Sequence, residues 1–148
     1  MLAQKPPIEK GRILALSKCV TSCIDLPDGL IKALEDNMSD NYGYLIYDSK
    51  IPVSIDEHKD KVKYKYELAS YPAGDLELLF TAPEDNKEQL ERYFSENALK
   101  IYWIGRVIGK HGIYIDVGDK VIKPKAPGFT HSFEGKKLFS RRKELNER

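Results

Sequence analysis

The chain has 148 residues, a net charge of +1, 41% hydrophobic and 32% charged residues. This length holds one domain with a sizeable core, and the balanced charge gives no electrostatic case for nucleic acid. No apolar run approaches the length of a membrane span, and Met1 to Pro7 lacks the apolar core of a secretion signal, so a cytoplasmic location is the default expectation.

Pro6 and Pro7 suit a helix start, and Ile8, Ile13, Leu14 and Leu16 recur at roughly helical spacing up to Ser17. Val20 to Ile24 is short, β-branched and bounded by polar residues, which predicts a strand. Cys23 reads there as a small buried hydrophobe. Asp28 caps a predicted helix running to about Asn37, with Leu30, Ile31 and Leu34 on one face. Ser39 to Gly43 is a turn cluster, and Tyr44 to Tyr47 a strand.

Ser49 to Tyr71 is broken by Pro52, and Ser54 could cap a short helix. Lys59 to Tyr66 alternates like a strand, but Val62, Tyr66 and Ala69 share a helical face, and a helix to about Ser70 is preferred. Leu76 to Thr81 is a near-continuous apolar strand, expected to be buried on both faces. Pro83-Glu-Asp opens a helix with acids in its first turn, Leu90, Tyr93 and Phe94 form its stripe, and Asn97 stops it. Ile101 to Ile108 is a strand interrupted by Gly105, and Gly109 to Gly112 a turn. Ile113 to Val117 and Lys120 to Ile122 form a hairpin across Gly118-Asp119. Residues 1–133 read as one α+β (α/β layered) domain, a mixed β-sheet packed against helices, and 134–148 as a basic, helical tail. Cys19 and Cys23 give only a weak metal signal, and the three histidines are scattered.

Asp25-Leu-Pro-Asp-Gly-Leu30 is the most informative segment. Asp28 can cap a helix; Asp25 has no evident structural task beyond ending a strand. Two hard oxygen donors at this spacing can alternatively hold Mg²⁺ beside a phosphate. Tyr71-Pro-Ala-Gly-Asp-Leu-Glu-Leu-Leu-Phe-Thr81 and Trp103-Ile-Gly-Arg-Val107 follow in order.

Together these segments resemble the C-terminal domain of thiamine-monophosphate kinases, in the superfamily that includes aminoimidazole ribonucleotide synthetase. The resemblance runs from about Pro7 to Phe133. It is carried by Asp25 to Leu30, by Ala73 to Thr81 and by Gly128-Phe-Thr-His131. It implies transfer of phosphate from ATP to thiamine monophosphate, with Mg²⁺ held by Asp25 and Asp28. It places Pro27 where the family has a nucleotide-contacting Ser, and Gly74 where it has a substrate-contacting Glu. It puts Asp75 near the substrate, a role that competes with ending a loop. Phe129 would stack on the thiamine moiety, or anchor a loop to the core. Thr130 replaces a family Asp.

The chain begins about where the family's C-terminal half begins. The resemblance therefore implies a partner N-terminal half or a homo-oligomer, and little activity from this chain alone. The departures at Pro27, Gly74 and Thr130 keep two alternatives open: a non-catalytic binding or regulatory module that pairs with a separate half, or a related ATP-dependent enzyme with another acceptor.

Overall fold

A computed structural model describes residues 7–52, 63–70, 77–124, 132–133 and 136–137. Helix α1 (Ile8–Ser17) starts after Pro7 and ends at Lys18, whose backbone turns left-handed. Strand β1 (Ser22–Asp25) begins two residues later than the sequence predicts. Because side chains alternate across a strand, Ile24 turns inward and Cys23 outward. Cys23 is thus exposed, correcting the expectation of a buried thiol. The buried cysteine is Cys19, whose Sγ lies 3.1 Å from the Ser17 carbonyl oxygen.

Helix α2 (Leu30–Asp36) is followed by β2 (Gly43–Tyr47) and a 3₁₀ turn over Asp48–Lys50. Helix α3 (Lys65–Ala69) begins only after Tyr64, whose backbone is extended, so the helix expected to run to about Ser70 starts later than its Val62, Tyr66 and Ala69 face predicts; Ser54 and Val62 lie outside the described residues. So short a helix needs its free N–H groups met from outside. Asp48 does this: its carboxylate accepts from Tyr66 N at 2.8 Å and from Lys65 N at 3.1 Å. Glu67 Oε2 reaches back to Lys63 N at 3.1 Å.

Strand β3 (Leu78–Thr81) precedes a 3₁₀ turn over Glu84–Asn86. That turn takes the acids expected at the start of α4 (Lys87–Glu96), which ends at Asn97 as predicted. Strand β4 spans only Gly105–Ile108, since Ile101 to Ile104 is irregular. β5 (Gly112–Asp116) and β6 (Val121–Ile122) form the expected antiparallel hairpin. In it, Gly118 holds φ 96°, and Asp116 Oδ1 accepts its N–H at 2.9 Å. β7 (Ser132–Phe133) pairs with β8 (Lys136–Lys137).

The strands make a mixed four-stranded sheet, order β4-β2-β5-β6, with β2 parallel to β5 and antiparallel to β4. β1 and β3 form a separate antiparallel pair. One core gathers Leu30, Ile31 and Leu34 of α2 against Tyr44, Ile46, Ile113 and Ile115 of the sheet. A second holds Leu14 of α1 against Leu90 and Phe94 of α4. Burying each such aliphatic or aromatic side chain stabilises by about 1.5–3 kcal/mol.

β3 is the wall between the cores: Leu79 packs on the first, Leu78 and Phe80 on the second. The strand is expected to be buried on both faces; both faces do meet apolar neighbours, but every described residue of β3 is only half-buried, which corrects that expectation. The reason is an open space along its edge. No helix among the described residues is long and apolar enough to cross a membrane.

Candidate functional site

β1 carries Asp25 to its last position, where it stands opposite Leu78 of β3. Leu26 N then bonds the Glu77 carbonyl at 3.1 Å, fixing the strand's exit. Pro27 and Asp28 turn the chain, and Gly29 starts α2 from φ 87°, ψ 169°. That conformation belongs almost solely to glycine. The N-cap residue is therefore Gly29, and Asp28 sits one position before it, which corrects the predicted cap. Gly29 is also pressed on the end of α3: a Cβ there would lie 2.5 Å from the Ser70 carbonyl oxygen.

The turn opens on a small cleft of ≈ 80 Å³, lined by Asp25, Pro27 and Asp28 with Lys32 and Asp36 of α2. Lys32 is engaged by Asp36 in an i,i+4 ion pair. Lys32 and Asp36 were not singled out in the sequence. Their mutual spacing of four residues within the predicted helix was the signal that could have found them, since i and i+4 share one face of a helix. Partial desolvation by the atoms around it, and secondarily the Asp25 carboxylate, push the exposed Cys23 thiol above its ordinary pKa.

Mg²⁺ keeps several waters and takes one or two protein carboxylates along with substrate phosphates. Asp25 and Asp28 on one cleft supply that number. The donor set therefore fits a phosphate-bound Mg²⁺. It does not make an all-protein cage, as no group of three or more His, Cys, Asp or Glu side chains is poised for a metal among the described residues. Pro27, exposed at the rim, offers neither hydroxyl nor N–H. Gly74, Asp75 and Phe129 lie outside the described residues.

No protein-family profile matches the sequence. The chain is 35% identical over 125 residues to the thiamine-monophosphate kinase of Pyrococcus abyssi, covering 84% of this chain and 37% of that protein. It is 32% identical over 130 residues to the thiamine-monophosphate kinase of Pyrococcus horikoshii, covering 87% of this chain and 40% of that protein. The chain thus spans well under half the length of these relatives. Its fold matches the crystal structure of thiamine-monophosphate kinase from Stenotrophomonas maltophilia with a TM-score of 0.65 at 22% identity, over 78% of this chain and 36% of that one. In both sequence and fold, the chain is a relative of the C-terminal domain of thiamine-monophosphate kinases.

Proposed function

We propose that this chain is the metal-holding part of an ATP-dependent thiamine-monophosphate kinase, converting ATP and thiamine monophosphate to ADP and thiamine diphosphate. The observation that carries the reading is the pair Asp25 and Asp28 lining one cleft, on a chain whose relatives bear that name. Both carboxylates would hold Mg²⁺, which when bound neutralises charge on the nucleotide phosphates. The chain's own task is positioning, the main requirement of phosphoryl transfer. β1 pins Asp25 and the glycine turn pins Asp28, so the pair is held before a ligand arrives. Asp75 and Phe129 serve the substrate by resemblance. Transfer is direct and in line, with no phosphorylated side chain.

Such a site is composite. Electrostatic stabilisation requires the full set of preorganised donors, so these 148 residues alone are expected to turn over little or no substrate, and an N-terminal half or a second copy completes the site. A second reading is favoured by Pro27, which removes both polar groups of a nucleotide contact: the chain would then be a non-catalytic partner module. Gly74, in the position of a substrate contact, leaves another acceptor as a third.

The test is Asp25→Asn with Asp28→Asn in the polypeptide that carries this sequence. Mg²⁺-dependent ATP binding and turnover of thiamine monophosphate are measured together. Loss of both supports the reading. Unchanged Mg²⁺-dependent binding removes the metal role. A wild-type protein that neither binds ATP nor turns over, yet is folded, favours the module.

A further inference from the structure

A cavity of ≈ 1040 Å³ lies between β3 and β4. It is lined by every residue from Glu77 to Glu84 and every residue from Lys100 to Val107. A sheet face would contribute alternate residues; within the strands themselves, Leu78–Thr81 and Gly105–Val107 line it without alternation, which means that the cavity borders strand edges. None of Ser22–Asp25 in β1 reaches it, and β2 offers only Tyr44 and Ile46, from one face.

The ladder geometry says which backbone groups face this slot. Leu26 N bonds Glu77 O at 3.1 Å, which makes Leu26 and Glu77 a hydrogen-bonded pair. In antiparallel strands such pairs alternate, so Leu79 and Thr81 turn their backbone groups to β1, while Leu78 and Phe80 turn theirs away. On the other wall Tyr47 N bonds Ile104 O at 2.8 Å. Arg106 and Ile108 therefore face β2, and Gly105 and Val107 face the slot. Among the described residues, no backbone partner crosses the slot to any of these four.

We propose that the slot receives one extended polypeptide segment from outside these 148 residues. It lies as a strand between β3 and β4 and joins the two-stranded and four-stranded sheets into one. Unpaired edges invite this mode of binding, in which main-chain bonds supply affinity and side-chain pockets supply choice. The rim names the chemistry of the segment. Lys10 is matched by Glu77 at 2.6 Å and Lys87 by Glu84 at 3.8 Å. Lys100 and Arg106 meet no carboxylate among the described residues, so the rim carries a positive surplus. The incoming strand is apolar in its centre and acidic at its flanks. The chain's own end, with Lys136, Lys137, Arg141, Arg142 and Lys143, has the opposite sign. Neither Asp25 nor Asp28 lines the slot, so the proposal stands apart from the nucleotide reading.

Amide exchange by NMR on this chain, with a synthetic peptide as probe, tests it. The peptide alternates valine and threonine over seven residues and carries two glutamates at each end; a control carries lysines instead. Expected are fast exchange at Leu78, Phe80, Gly105 and Val107 in the free chain and protection of those four amides by the glutamate peptide. The lysine peptide binds about fivefold more weakly, and a Lys100→Glu, Arg106→Glu variant, altered only at exposed positions, inverts the preference. Protection already present in a monomer means that the chain fills its own slot, and protection that tracks dimerisation in the ultracentrifuge means that a second copy does. Either result overturns the proposal, as does peptide binding that leaves the four amides unprotected.

Discussion

Replacing Gly29 by alanine tests the turn that holds the two carboxylates. The residue sits at φ 87°, ψ 169°, a region that costs a side-chain-bearing residue about 1–3 kcal/mol. The new methyl would also lie 2.5 Å from the Ser70 carbonyl oxygen and 2.9 Å from its Cα, both backbone atoms that no rotamer change can move aside. Overpacking of this kind adds about 1–3 kcal/mol. The two costs sum to about 2–6 kcal/mol, and with a urea m-value of about 2 kcal/mol/M the midpoint falls by about 1–3 M. Urea titration followed by circular dichroism measures it. Gly109→Ala is the control: a Cβ there meets nothing within 4 Å, and the midpoint should stay within the ~0.5 kcal/mol typical of surface changes. A Gly29→Ala midpoint less than about 0.5 M below wild type, at unchanged m-value, would refute the claim that this turn demands glycine.

Two further outcomes are expected. Asp48→Ala strips the two N-terminal bonds of α3 and should lower stability by about 1–2 kcal/mol, with Asp48→Asn recovering part of it; equal midpoints for Asp48→Ala and wild type in the same titration would show that water replaces the carboxylate. Because partial desolvation and then Asp25 raise the Cys23 thiol pKa, less thiolate is present at any given pH below it. Alkylation by iodoacetamide near pH 8 should therefore run slower than for a free cysteine, keep accelerating above pH 9.0, and quicken modestly in Asp25→Asn. A Cys23 rate equal to that of free cysteine at every pH contradicts the assignment.

The segments that read well from sequence are those in which one physical signal acts alone. The stripe of Leu90 and Phe94 and the stop at Asn97 define α4, and the Gly118-Asp119 turn defines its hairpin. The misreadings have local causes. Val20 has the composition of a strand, but pairing with β3 begins only at Ser22; Cys23 and Ile24 are neighbours on opposite faces, and Ile24 takes the inner one, which leaves Cys23 to solvent. Asp28 is a better cap by residue preference than Gly29, yet the close approach of Ser70 selects a residue with no Cβ; a tertiary contact of this kind leaves no mark in the neighbouring sequence. The parallel pairing of β2 with β5 was equally invisible, because pairing partners are not written in composition. For the site, the resemblance singled out Asp25 and Asp28, while the cleft that includes Lys32 and Asp36 emerged only from the folded helix.

The parallel register also constrains when the fold can form. Gly43 pairs with Gly112 and Tyr47 with Asp116, so β2 emerges from the ribosome well before either neighbour. At about 5–20 residues per second the nascent chain carries Leu45 and Ile46 without their central partner for roughly 3 to 14 s. β1 waits likewise for β3, since Ser22 pairs with Thr81. With both sheets closed by distant contacts, folding is expected to be slow for the chain's size, and the four-stranded sheet cannot close before β5 has been made. Until then the apolar strands lack their partners, and helices as short as α1 and α2 are marginal on their own.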